Sequence, residues 1–162
     1  MKEIDVKKAI AAWNNLEADL HKRTRYYVDD PKSEWIDPFR IFGDLYYVGD
    51  KVVCSHLLKS SDGLILFDTC FPHTKDLLIK RIEMLGFKMD DVRHIIHSHE
   101  HYDHFGATYE LKKRYGCKTY IHKNGAETFR IKPHHTEIQS AFFPDAALFV
   151  PDVKLNDAEV IE

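Results

Sequence analysis

Arg93-His94-Ile95-Ile96-His97-Ser98-His99-Glu100-His101-Tyr102-Asp103-His104-Phe105-Gly106 is the stretch from which the rest of the chain is read. His94, Ile95 and Ile96 have the character of a buried strand end, and the next eight residues hold His97, His99, His101, Asp103 and His104. Side chains alternate along an extended backbone, so His99 and His101 point to one side and can grip one cation. Asp103 keeps that parity. His104 does not, and it shares a second cation with Asp103 only if the chain turns there, as the helix-like pattern after Phe105 indicates. Neutral imidazole and carboxylate oxygen are ordinary ligands of zinc, and a catalytic zinc keeps a position open for water. Two neighbouring cations would make the site hydrolytic. The competing reading is a chance cluster of the chain's 11 histidines on a solvated loop. Three His and one Asp at this spacing, directly after an apolar strand, weigh against it.

His99-Glu100-His101-Tyr102-Asp103-His104 fits the pattern H-x-H-x-D-H. With Ser98 before it and Gly106 after it, the stretch resembles the strand, metal loop and helix start of the metallo-β-lactamase superfamily, and its wording is most similar to the third subclass and its bacterial relatives. The resemblance implies an α/β fold, the N-terminal half of an αββα sandwich. It also implies zinc, two ions in a complete domain, with His99 and His101 on the first and Asp103 and His104 on the second. The implied activity is a hydrolase in which a metal-activated hydroxide attacks a lactam, ester or thioester bond. Asp103 is its catalytic residue, orienting the hydroxide and carrying a proton to the leaving group. In the family the remaining ligands come from later in the chain, so the sequence is expected to be truncated, with residues 39–162 as the lactamase-like half and residues 1–38 as an N-terminal helix and connecting segment.

A chain of 162 residues with 44% hydrophobic and 30% charged residues has the balance of a soluble globular protein of one ordinary domain. A formal net charge of −3 gives no reason to expect nucleic-acid binding. Lys112-Lys113-Arg114 is the one compact basic run and reads as a solvated helix face. The N-terminal residues lack the apolar core of a signal peptide, and no stretch approaches the ~20 apolar residues of a membrane span, so a cytoplasmic location without membrane contact is expected. Cys54, Cys70 and Cys117 match no paired metal or redox spacing and read as buried free thiols.

Val6, Ile10, Trp13, Leu16 and Leu20 recur at helical spacing, which predicts an amphipathic helix behind Asp5 as N-cap. From Phe39 the pattern changes to short apolar runs at 40–42, 45–48, 52–58 and 64–67, separated by Gly-Asp and Ser-Asp-Gly turns, which predicts an antiparallel meander. Residues 74–85 read as a helix stopped by Gly86, and 92–96 as a strand parallel to 64–67 across it. That unit delivers the metal loop at a strand C-terminal end, the usual place for a site. Asp68 ends the neighbouring strand in a Leu-Phe-Asp-Thr run similar to one that recurs in the family, where it is expected to hydrogen-bond a ligand imidazole. The alternative is a turn aspartate without a metal role. Downstream, 104–115 reads as a helix stopped by Gly116, 118–122 as a strand, 124–129 as a short helix, the segment beyond Arg130 as a long loop, and 153–162 as the approach to another strand.

Counting three protein ligands per catalytic zinc, each pair in the motif lacks a partner. His134 and His135, on the downstream loop, are the nearest substitutes, with His122 behind them. His97 shares the strand parity of His99 and is an outlying candidate. The expected partner is a small-molecule substrate. Half a domain would leave an apolar sheet face bare, with Leu45, Tyr47, Val53, Leu57, Ile65 and Phe67 as contributors and either strand parity open as the inward one, so a homodimer or pairing with the missing half is also expected. A nuclease would need a basic groove that the charge balance does not provide. The reading from a different class is a non-catalytic metal-binding or assembly protein that keeps half a dinuclear site.

Overall fold

The computed structural model describes residues 28–131 and 149–161, together with Lys7. The chain divides into two compact units, residues 1–34 and 35–162. Apart from Lys7, which is helical, the predicted N-terminal helix lies outside the described residues, as do His134 and His135.

The second unit is built on a seven-stranded sheet whose strands lie in chain order. Strands β1 (Phe39–Phe42), β2 (Leu45–Tyr47), β3 (His56–Ser60) and β4 (Gly63–Phe67) form the antiparallel meander expected from the short runs and their turns. The third strand starts later than its apolar run suggests. Asp50 is the reason: its Oδ1 accepts the amides of Val52 and Val53 at 2.9 and 2.8 Å, so the chain turns back before it can pair.

From β4 onward the pairing is parallel. A 3₁₀ turn at Pro72–Thr74 leads into helix α1 (Lys75–Met84), which returns the chain to β5 (Val92–Ile96), paired in register Leu66 to Ile95 and Phe67 to Ile96. Helices α2 (Tyr102–Phe105) and α3 (Thr108–Tyr115) lead to β6 (Lys118–His122), and α4 (Lys123–Ile131) precedes β7 (Val153–Leu155). The single helix predicted over 104–115 is two. It is interrupted at Gly106 and Ala107, where the Ala107 amide donates to the Cys70 carbonyl at 3.3 Å and a Cβ on Gly106 would lie 2.6 Å from Pro72 Cδ and 2.7 Å from the Tyr102 carbonyl oxygen, so the backbone is pressed against the β4–α1 connection. Gly116 at φ +71 closes α3, as its sequence position indicates.

Period-two alternation sorts the sheet's faces, shifted by one residue in β5, where a bulge between Val92 and His94 brings Val92 and Ile95 to the same side. Leu57, Leu64, Leu66, Val92 and Ile95 are buried with Leu78 and Ile82 of α1 and Leu111 of α3. The opposite face carries Leu45, Tyr47, Leu58, Ile65, Phe67 and Ile96, all half-buried. Leu57 therefore belongs to the helix-covered core and not to the bare face expected of it, and Val53 is buried in the turn before β3. Cys70 and Cys117 are buried free thiols, whereas Cys54 is exposed. Lys112 is not merely solvated. Its ammonium lies 2.7 Å from Asp152 Oδ1, and Asp152 Oδ2 accepts the Thr119 amide and hydroxyl at 2.8 Å each, which pins the approach to β7 against β6.

Candidate metal centre

The motif residues leave β5 at its C-terminal end, beside the end of β4. The backbone bends through 98–100 and does not continue as a strand, and the turn into α2 comes at Tyr102. The three imidazoles converge all the same: the His99 ring centroid is 4.5 Å from that of His101 and 4.0 Å from that of His104. Asp103 joins them, with Oδ2 3.4 Å from His104 Nε2.

Asp68 organises this group from the neighbouring strand. Its Oδ1 accepts the Ser98 amide at 2.8 Å, and its Oδ2 accepts the Ser98 hydroxyl at 2.7 Å and His104 Nδ1–H at 2.9 Å. Because the Ser98 proton goes to the carboxylate, Ser98 Oγ is left as an acceptor for His99 Nδ1–H at 2.9 Å. Nδ1 of both rings is thus committed as a donor, and Nε2 is the nitrogen of each that a cation would take. Asp68 makes these bonds from φ +61, in the left-handed region that Asp tolerates better than most residues, and Cys70 at φ +58 shares that strain. Ser55 Oγ supports the same turn by donating to the Asp68 carbonyl at 2.8 Å.

The protonation states follow from these contacts. Burial would raise the Asp68 carboxyl, but the bonds from His104 and Ser98 outweigh it and hold it below the usual range. Asp103 is likewise held low against its burial, chiefly by the His104 bond. Burial alone would lower His104, yet the carboxylates of Asp103 and Asp68 on its two ring nitrogens lift it to about 9. Burial together with the neighbouring His104 and His101 pushes His99 down. His99 is therefore neutral at neutral pH, whereas a cation that binds His104 Nε2 must displace its proton to solvent.

Of the outlying candidates, His97 is buried and faces away from this group, with its ring stacked 4.5 Å from Phe149. Burial drives it down to about 4, so it stays neutral. His122 ends β6 and turns its Nε2 to Asp157 Oδ1 at 3.4 Å. Among the described residues no three His, Cys, Asp or Glu side chains close on a single point as one ion's ligands. The donor set is nevertheless of the right kind for zinc, three imidazoles and a carboxylate, with two of the rings oriented through Nδ1. Sequence reasoning missed Thr69 and Thr108, both fully buried. Neither has a motif signal, because each acts by a hydroxyl whose partners come from other elements.

The family model described as the metallo-beta-lactamase superfamily matches residues 48–162. The chain belongs to this superfamily. Metallo-beta-lactamase GOB-18 from Elizabethkingia meningoseptica is 29% identical, with a TM-score of 0.71 over 80% of this chain and 48% of that one. BJP-1, a subclass B3 metallo-beta-lactamase of Bradyrhizobium japonicum, is 25% identical, with a TM-score of 0.71 over 83% of this chain and 51% of that one. A beta-lactamase from Chitinophaga pinensis is 29% identical, with a TM-score of 0.67 over 84% of this chain and 51% of that one. The chain therefore spans about half the length of these metallo-beta-lactamase structures. The superfamily's fold is that of a metal-dependent hydrolase, and the expected α/β half-sandwich agrees with the seven-stranded sheet and its helices. Among the described residues no helix is long and apolar enough to cross a membrane.

Proposed function

We propose that this chain contributes the zinc-binding loop of a hydrolase, with His99 and His101 on one zinc and Asp103 and His104 on a second. The observation that supports this most directly is the Asp68 carboxylate. It secures one imidazole itself and another through Ser98, both through Nδ1, so that the Nε2 atoms of His99 and His104 are turned toward the site, that of His104 beside Asp103. A surface cluster of histidines would have no such support.

Zinc, when bound here, supplies water acidified to near neutrality and polarises the bond under attack. The chain's own residues do the rest. Asp103, ionised at neutral pH, accepts the proton of the attacking water and passes it to the leaving group. Asp68 keeps the His104 ring in place without competing for its outward nitrogen. The substrate class is a small molecule with a lactam, ester or thioester bond, in keeping with the lactamases to which the chain is similar.

Three protein donors are usual for each catalytic zinc, and the described residues bring no such trio together. The second reading is a non-catalytic metal-binding or assembly protein that keeps half a dinuclear site, in keeping with the two donors per zinc that each motif pair provides. Elemental analysis of the purified chain tests the metal. Zinc should be retained at micromolar concentration and lost in the double variant His99→Ala, His101→Ala, and unchanged zinc content would overturn the assignment. Rapid cleavage of a chromogenic lactam or thioester by the chain, abolished in Asp103→Asn, would remove the second reading.

A further inference from the structure

The His104 ring is held by Asp68, and the backbone of His104 is held by the next residue. The Thr69 amide donates to the His104 carbonyl at 2.7 Å. Thr69 is itself fully buried, and its hydroxyl lies 2.9 Å from that of Thr108, the first residue of α3. Thr108 Oγ1 is in turn 2.7 Å from His97 Nε2. At the far end His97 Nδ1 lies 3.0 Å from the Tyr120 carbonyl, which can only accept, so Nδ1 carries the proton and Nε2 is an acceptor. The direction of every bond follows. Thr108 must donate to His97, which leaves its oxygen to receive the Thr69 hydroxyl. The alternative for that hydroxyl, the His104 carbonyl, is longer at 3.3 Å.

We propose that His97, Thr108 and Thr69 form a positioning relay, anchored on the β6 backbone, that fixes the loop carrying His99, His101, Asp103 and His104. The relay joins the β4–α1 turn, the residue after β5 and the start of α3. His97 Nε2 and the Thr69 hydroxyl both depend on Thr108, and the longer contact to the His104 carbonyl at 3.3 Å is the one alternative open to Thr69. Removing one member orphans its neighbour inside the protein, which costs more than the bond itself contributes. Stacking of His97 on Phe149, at 4.5 Å and 27°, keeps the imidazole plane in line with both partners. None of the three side chains touches the outward-facing donors, so the relay acts through the placement of the Asp68-Thr69 turn. Its effect on metal affinity rests on the zinc reading above. Its effect on the loop backbone does not.

The test uses the full chain and three variants. His97→Leu deletes both ring bonds, Thr108→Val deletes the hydroxyl at constant shape, and His97→Asn restores one donor and one acceptor. Amide exchange at Thr69 and across residues 98–104 is followed by NMR without metal, alongside the thermal midpoint and zinc affinity by chelator competition. Thr108→Val and His97→Leu should each speed exchange at Thr69 by about tenfold and weaken zinc by about tenfold, and His97→Asn should return most of both. Unchanged Thr69 exchange in Thr108→Val would overturn the relay, as would acceleration no greater in the loop than in the core strands. Should the parent chain take up no zinc while Thr69 exchange changes as described, the relay stands and the metal reading falls.

Discussion

Asp68 carries more of the candidate site than any residue of the motif itself, because one carboxylate receives Ser98 twice and His104 once. Asp68→Asn keeps the shape but replaces an acceptor with a donor facing donors. Zinc affinity in that variant should fall by about 10- to 100-fold, measured by chelator competition. A fall of less than threefold would mean that the carboxylate only terminates its strand. His104 gives the pH dependence. Its folded pKa of about 9 lies above the ordinary 6.5, so the stability it lends the metal-free protein is complete below about 6.5 and lost as pH rises through about 9. Zinc competes for the same nitrogen, and its apparent affinity should therefore climb about tenfold per pH unit between about 7 and 9, then level off. A flat profile across that window, read by competition titrations in buffers of constant ionic strength, would show that His104 carries no proton to displace.

Two connections between elements decide where the loop sits. Gly106, between α2 and α3, lets that backbone lie against the β4–α1 turn, and the Ala107 amide bonds the Cys70 carbonyl there at 3.3 Å. In Gly106→Ala the new methyl would meet Pro72 and the Tyr102 and Cys70 carbonyls, so the variant should lose about 1–3 kcal/mol. Urea unfolding measures it, and a loss under about 0.5 kcal/mol would mean that the turn yields. At the other edge, Asp152 ties Thr119 and Lys112 to the start of β7. Asp152→Ala should cost about 1–2 kcal/mol. Backbone exchange would rise at residues 153–155 first, while β3 to β5 stay protected. Uniform exchange across all seven strands would instead place β7 in the cooperative core.

At the scale of the whole molecule, the described residues cover the sheet unequally. One face is sealed by α1 and α3, while Leu45, Tyr47, Leu58, Ile65, Phe67 and Ile96 lie half-buried on the other. Monomers in solution seldom expose apolar patches beyond a few hundred Å². We expect a second copy to cover this face, giving a sedimentation-average mass that rises with micromolar concentration. Ile65→Glu, in the middle of the patch, should return the chain to a monomer. A parent that stays monomeric at every concentration, with a cooperative melt, would exclude the association.

The sequence by itself determined the features that depend on neighbours along the chain. Period-two runs and Gly-Asp turns specified the meander, and Gly86 and Gly116 the helix stops. The crossing from β4 to β5 was legible from the pattern, as were the closeness of His99, His101, Asp103 and His104 and the place of Asp68 at the end of its strand. Only the tertiary structure decided what depends on residues distant in sequence. The break at Gly106 comes from backbone packed against Pro72, and the late start of β3 from a turn held by Asp50. The face taken by Leu57 depends on where α1 lies. His97 shares the parity of His99, yet it turns inward because Thr108 and the Tyr120 carbonyl offer its ring two bonds in a site closed to water, and no pattern along the chain records them.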